Sequence, residues 1–203
     1  MTGSSKDLKR MLRAALRKAL MTMPTEQRAA ESAGLCAAIR QLPEYRRART
    51  VSLFCPMPFE VNLLDLLRDS RKPPEVSAAA EPRAESQSRR FVFPLTHDDR
   101  SLTWHAVHSI WELAPGRMGI PEPDPARSPA VDPAEIGLVI VPGLGFTLEG
   151  GRLGFGGGYY DRFLAGTGPG TPTLGACLSC QIVPVEHLPV EPHDIPVQRV
   201  LHG

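Results

Sequence analysis

The residues with most to offer chemically are packed into one short stretch, GGRLGFGGGYYDRFL, residues 150–164. Six of the nine positions from Gly150 to Gly158 are glycine. Glycines let backbone amides approach an anion closely, and a helix opening at Tyr159 adds the favourable end of its dipole. Arg152, inside the loop, offers a guanidinium fork that matches phosphate oxygens. Asp161, just past the loop, offers a carboxylate to a magnesium ion that bridges phosphates. Glycine-rich turns also reverse chains with no ligand at all, and neither G-x-G-x-x-G nor a closing Gly-Lys-Ser/Thr occurs here. Phosphate is favoured by the company: Arg152, the Tyr159–Tyr160 pair and Asp161 share one window.

Such a loop needs a strand before it and a helix after it. Leu138 to Val141 (LVIV) is apolar and mostly β-branched, the pattern of a short buried strand, and Pro142 stops it. Tyr159 to Leu164 reads as the first turns of a helix. Upstream, residues 50–55 (TVSLFC) predict a second strand, PMPFEVN a loop holding Glu60, and residues 63–67 the start of a helix. Repeated strand–helix units imply a parallel sheet with ligands at the strand ends. A lone loop glutamate such as Glu60 is ordinarily solvated.

The chain begins with an amphipathic helix over residues 4–23, capped by Ser4 or Ser5. Leu8, Met11, Leu12, Ala15, Leu16, Ala19 and Leu20 form its apolar stripe, and Lys9, Arg13 and Arg17 step by four along an adjoining one. A basic stripe of this kind is ordinarily a solvated face. A second helix runs from Pro24 to about Leu42, with Leu35, Ala38, Ile39 and Leu42 inward. Further strands are expected over residues 91–95, ended by Pro94, over 102–107 and over 173–183. Residues 165–173 read as a flexible loop, a candidate lid. Residues 68–90, rich in Pro, Ala, Ser, Glu and Arg, read as a mobile, functionally silent surface insertion centred on about 70–89.

Composition bounds the rest. At 203 residues, 42% hydrophobic and 22% charged, the chain suits one soluble domain. Net charge is +1, which excludes a general affinity for nucleic acid, but residues 1–49 hold eleven Lys/Arg against four Asp/Glu, a net +7 that leaves the remainder at −6. A basic N-terminal segment suits an anionic small molecule or nucleic acid. No run of eighteen apolar residues is present. The Arg-rich amphipathic start is similar to an organelle transit peptide, but Asp7 and the well-patterned helix favour a structural element. Four cysteines give no disulfide framework at this length, so a reducing cytoplasm is expected. Cys177-Leu-Ser-Cys180 lies in an expected strand and lacks a second pair for zinc. His97, His105 and His108 with Trp104 and Trp111 lack a metal-site pattern, and packing is their expected role.

The stretch GGRLGFGGGYYDRFL closely resembles the signature of the 5-formyltetrahydrofolate cyclo-ligase (methenyltetrahydrofolate synthetase) family. Supporting blocks are VPGLGF before it, the K-x-x-L-R spacing of Lys9, Leu12 and Arg13, the Glu60 loop, Gly119-Ile-Pro-Glu-Pro123, and the tail LPVEPHDIPVQRV. The resemblance implies an α/β, three-layer fold with a mostly parallel central sheet flanked by helices, NagB/RpiA/CoA transferase-like. It implies ATP- and magnesium-dependent cyclisation of 5-formyltetrahydrofolate, polyglutamylated or not, to 5,10-methenyltetrahydrofolate with release of ADP and phosphate. By the same resemblance Lys9, Arg13, Arg152, Gly154, Gly156, Gly157, Gly158, Tyr159 and Tyr160 bind ATP. Cys55, Met57, Glu60, Phe155 and Tyr159 bind the folate, Asp161 and Asp194 hold magnesium, and Arg152, Tyr159 and Tyr160 act in catalysis. A cytoplasmic monomer binding neither membrane nor nucleic acid is expected; a non-catalytic relative binding nucleotide or RNA is the alternative. The chain departs from the family at Phe155 and Gly157, where some relatives are basic, at Thr147, where aspartate is frequent, and at Gln198, where aspartate is expected.

Overall fold

The structure is a computed structural model that describes residues 4–71, 88–168 and 170–203. Its centre is a seven-stranded sheet in the order β11-β10-β7-β1-β2-β3-β6. The strands are β1 (Thr50–Ser52), β2 (Arg90–Thr96), β3 (Leu102–Ala106), β6 (Ala130–Val131), β7 (Leu138–Val141), β10 (Thr173–Cys177) and β11 (Arg199–His202). From β11 to β2 all pairings are parallel; β3 and β6 add an antiparallel edge. Two small antiparallel pairs sit apart from it: β4 (Leu113–Pro115) with β5 (Pro121–Pro123), and β8 (Gly145–Phe146) with β9 (Arg152–Leu153).

Strand β7 shows why the fold has three layers. All four of its residues are buried, which requires cover on both faces. Leu138 and Ile140 join a core with Leu20 of α1 (Ser5–Thr22) and Met23 just past its end, Leu35 and Ile39 of α2 (Thr25–Gln41) and Tyr45 of α3 (Pro43–Arg47). Val139 and Val141 point the other way, into a core with Trp104, Phe146 and Leu164 of α4 (Tyr159–Gly166). The alternation of a strand thus sorts the helices into opposite layers.

Several elements differ from expectation. Helix α1 is capped by Ser4, whose Oγ accepts from the Asp7 amide at 3.2 Å, but Leu8 and Met11 of its expected apolar stripe are exposed, as is Ala38 of α2. Strand β1 stops at Ser52, and Phe54 and Cys55 of the expected strand wall a cleft instead. Strand β2 continues through Pro94: its partners on β1 end opposite Val92, so Pro94 has no ladder bond to lose on that side. Strand β10 ends at Cys177, and a 3-10 helix, Ser179–Gln181, replaces the rest of the expected strand. Residues 165 and 166 of the expected lid belong to α4. Trp111 is 82% exposed and does not pack. Trp104 and His105 are buried as expected, His105 Nδ1 lying 2.9 Å from the Ser128 carbonyl.

Of the expected insertion, residues 72–87 lie outside the described residues. Its flanks are structured: the 3-10 helix Leu64–Arg71 extends past Leu67, and Arg89 is buried, donating to the carbonyls of Tyr45 at 2.9 Å and Ala48 at 3.2 Å with its guanidinium 4.2 Å from the Tyr45 ring centre.

Candidate functional site

A cleft of about 1340 Å³ opens at the carboxyl ends of the parallel strands. Phe54 and Cys55 enter it after β1, Pro94 and Thr96 from the end of β2, and Pro142 just after β7. This is where open parallel sheets place ligands, and the volume exceeds what one small ligand fills. Lys6, Lys9, Arg13 and Arg17 reach it from α1, spaced by three and four so that one helical face looks into the cleft. The basic stripe is therefore a wall of the site.

The glycine loop splits into two halves with different work. Gly150 and Gly151 make the turn of the β8–β9 hairpin, and their amides bond Thr147 O at 3.1 Å and Thr147 Oγ1 at 3.1 Å. That half reverses the chain. The amides of Gly154, Gly156, Gly157 and Gly158 take no hydrogen-bond acceptor among the described residues, and all four residues line the cleft. Gly158 caps α4 at φ +72°, a left-handed conformation that glycine adopts without cost. Unbonded amides before a helix N-terminus make an anion cradle. Arg13 braces it, its Nε donating to the Gly154 carbonyl at 2.9 Å.

Beside the cradle the charges are paired. Lys9 is only 5% exposed, with Nζ 2.6 Å from Glu191 Oε2 and 2.5 Å from Asp194 Oδ2. Burial would lower its pKa, but the hydrogen bonds to Asp194 and Glu191 outweigh burial and hold the ammonium above its usual range. For Asp194 burial pushes up, and the Lys9 hydrogen bond and the Glu191 amide win, so its carboxyl sits below its usual range. Buried Arg152 donates through Nη2 to Asp161 Oδ1 at 2.5 Å. The Ile195 amide also reaches Asp161 Oδ1, at 3.3 Å, which joins Asp161 to the segment carrying Asp194. Oδ2 of Asp161 and Oδ1 of Asp194 accept no hydrogen bond among the described residues. Two such oxygens suit a hard divalent cation. Glu191, His193 and Asp194 have ligand atoms within 4.8 Å of one another.

The other end of the cleft is apolar and acidic. Glu60 is 6% exposed, not solvated as a loop glutamate ordinarily is. Its Oε2 accepts from the Met57 amide at 2.8 Å, and burial, outweighing that bond, pushes its carboxyl up to about 7. Cys55, Met57, Phe155, Tyr159 and Tyr160 line the same cleft. Tyr160 stands edge-on to Trp104, ring centres 6.3 Å apart, and Phe163 packs 4.8 Å from Trp104. Burial raises the Tyr160 hydroxyl pKa strongly. The Tyr160 hydroxyl and Arg152 Nε are buried without a partner among the described residues. Native interiors seldom tolerate such atoms unless a ligand or water completes them.

All the residues expected in the site line this one cleft. Two further acids do so as well: Glu191, the partner of Lys9, and Glu122, whose Oε1 accepts from Thr96 Oγ1 at 2.6 Å. Only their places in quoted motifs, G-I-P-E-P and V-E-P-H-D, mark them in the sequence. The C-x-x-C pair stays outside the cleft: Cys177 is buried with its thiol pushed up to about 12 by burial, and burial raises Cys180 too, so neither thiol is activated.

Residues 5–203 match the 5-formyltetrahydrofolate cyclo-ligase family. A mouse 5-formyltetrahydrofolate cyclo-ligase is 28% identical over 198 residues, covering 96% of this chain and 93% of its own length. The solution structure of 5,10-methenyltetrahydrofolate synthetase from Aquifex aeolicus superposes with a TM-score of 0.77 at 30% identity, covering 96% of this chain and 89% of its own. The structure of a 5,10-methenyltetrahydrofolate synthetase from Mycoplasma pneumoniae superposes with a TM-score of 0.68 at 20% identity over 95% of this chain and 96% of its own, a likeness of fold.

Proposed function

The chain belongs to the 5-formyltetrahydrofolate cyclo-ligase family, and we propose that it converts 5-formyltetrahydrofolate and ATP to 5,10-methenyltetrahydrofolate, ADP and phosphate. The observation that carries this reading is the junction, in one cleft, of four glycine amides with a buried acid and the Tyr160 hydroxyl, the amides and the hydroxyl having no partner among the described residues. The first binds a phosphate chain; the second suits a polar, ring-shaped substrate.

The formyl oxygen of the substrate is amide-like and leaves poorly. Transfer of the γ-phosphoryl group from ATP turns it into phosphate, a good leaving group. The neighbouring secondary nitrogen then attacks the formyl carbon, phosphate departs, and the nitrogen loses its proton. Positioning and charge neutralisation do most of the work in such a transfer. The amides of Gly154, Gly156, Gly157 and Gly158 hold phosphate oxygens, and Arg13 keeps Gly154 in place. Lys9 neutralises the triphosphate from α1. Arg152, beside the cradle with Nε unpartnered among the described residues, reaches the oxygen that gains charge. Tyr159 and Tyr160 wall the reacting group, the Tyr160 hydroxyl being a donor in a dry setting. Asp161 and Asp194 would hold magnesium, which spreads the charge of the phosphates. Cys55, Met57 and Phe155 pack the folate ring, and Glu60 accepts from its N–H groups or, protonated, donates to it. We take the protein to act as a monomer in the cytoplasm; no helix among the described residues is long and apolar enough to cross a membrane.

The test is direct. Protein, ATP, magnesium and 5-formyltetrahydrofolate are mixed and the methenyl product is followed by its near-ultraviolet absorbance. Product formation that requires ATP is expected. Absence of product with folded protein would overturn the reading.

A further inference from the structure

We propose that Glu122 is a second carboxylate that reads the folate ring, set in place by Thr96 and by the absence of a side chain at Gly116. The inference rests on the cyclo-ligase reading above and extends its substrate site to a residue outside the signature.

Glu122 lies on β5, paired with Ala114 of β4, and is 8% exposed while lining the cleft. Such burial of a glutamate needs compensation. One oxygen, Oε1, is held by Thr96 Oγ1 at 2.6 Å from the end of β2. The other takes no hydrogen bond among the described residues and, unlike the Tyr160 hydroxyl, is not sealed from solvent, in a residue that lines the cleft. The packing behind the side chain is close: a Cβ at position 116 would lie 2.5 Å from Glu122 Cγ and 2.7 Å from Cδ. Gly116 therefore permits this rotamer, and Thr96 orients the carboxylate plane. Arg117, on the same hairpin, is engaged by Asp98 at the surface. Glu122 and Tyr159 of the signature helix line the same cleft.

The chemistry of the folate fits this acceptor. The pyrimidine edge of a reduced pterin presents, beside its oxo group and N1, an amino group and a ring N–H, both donors that a carboxylate can accept. One buried carboxylate can fix that edge in position but not in rotation about the contact. Glu60 and Glu122 reach the cleft from different elements, the loop after β1 and the β4–β5 hairpin, and two acceptors fix the ring plane. Fixing it matters because the formyl oxygen must meet the phosphoryl group in line.

Equilibrium binding of 5-formyltetrahydrofolate without ATP, steady-state constants for both substrates, and thermal melting are measured on wild type, Glu122→Ala, Glu122→Gln, Thr96→Val and Thr96→Ser. Glu122→Ala is expected to weaken folate binding and raise the folate KM by roughly tenfold to a hundredfold, the usual loss of a hydrogen bond to a charged group, with the ATP KM within about twofold. Glu122→Gln, which keeps an acceptor oxygen, should recover most of the loss. Thr96→Val should show a smaller loss of the same kind and Thr96→Ser none. Unchanged folate binding in Glu122→Ala, or a loss shared equally by folate and ATP together with a lowered melting temperature, would make Glu122 a mere strut and overturn the inference. Wild-type protein without turnover would instead overturn the function itself, so the two failures are distinct.

Discussion

The two ends of the cleft meet their ligands in different ways. Around the glycine cradle, Lys9 is clamped by Glu191 and Asp194, and Arg152 by Asp161, with Arg152 Nε left without a partner among the described residues. At the end proposed for folate, Glu60 accepts from one backbone amide and the Tyr160 hydroxyl from none, among the described residues. Binding at the first end is an exchange of partners: charges that already satisfy one another turn toward phosphate and cation. Binding at the second is an insertion between groups that wait for it. Variants at the first end should therefore lose stability and activity together, because breaking a buried pair strands a charge. At the second end they should lose activity while stability holds or rises.

The largest effect is expected at Asp161. Asp161→Asn keeps an acceptor for the Ile195 amide but removes the negative charge facing Arg152, whose side chain is 3% exposed. It also removes one of the two oxygens proposed to hold magnesium. Turnover should fall by about a thousandfold, with weaker binding of magnesium-ATP by calorimetry, a lower melting temperature, and unchanged binding of folate alone. Undiminished turnover would take Asp161 out of the metal site.

Lys9→Ala comes next. It leaves Glu191 and Asp194 facing each other across the space of a lost ammonium, with partners only partly screened at 33% and 20% side-chain exposure. The ATP KM should rise by about a hundredfold, and the fold should lose on the order of 2 kcal/mol. Urea melts read alongside kinetics decide the matter. A variant that loses nucleotide affinity with full stability would show that Lys9 was poised for phosphate rather than committed to its clamp, and the contrast between the two ends would weaken.

Much of this was legible before any coordinates, and the reason is locality. The β7 strand, the glycine loop and the start of α4 are contiguous, so residue type and spacing carry their structure. The same holds for α1 and its Ser4 cap. The division of the loop into a hairpin half and a cradle half was not legible: it depends on Thr147, outside the loop, which collects the amides of Gly150 and Gly151. Nor was the burial of Lys9, since its partners stand more than 180 positions away at Glu191 and Asp194. Trp111 misled in the other direction, because a tryptophan in a 3-10 turn beside a loop has nothing to pack against. Glu60 and Glu122 look like ordinary loop acids, and only the sheet that carries their segments to one cleft makes them buried ones.

Glu60 supplies the smallest expected effect and the one that separates the two ends most cleanly. Its carboxyl is held neutral in the folded chain up to about pH 7, against an ordinary value of 4.5, because burial penalises the charge. Between those values the folded state keeps a proton that the unfolded chain has released. The stability tied to this group is thus fully present below about pH 4.5 and is lost as pH rises through 7. A displacement of that size corresponds to something on the order of 3 kcal/mol of unfavourable charge burial at pH 8. Glu60→Gln removes the charge but still buries a polar amide, so the net gain should be near ~1 kcal/mol at pH 8 and should vanish toward pH 4.5. Melting temperatures from pH 5 to 8 should therefore fall for wild type and stay nearly level for Glu60→Gln, while the variant binds 5-formyltetrahydrofolate more weakly. Parallel pH profiles for the two proteins would mean that Glu60 is solvated or already paired, and the acid end of the cleft would be no different in kind from the end that holds Lys9.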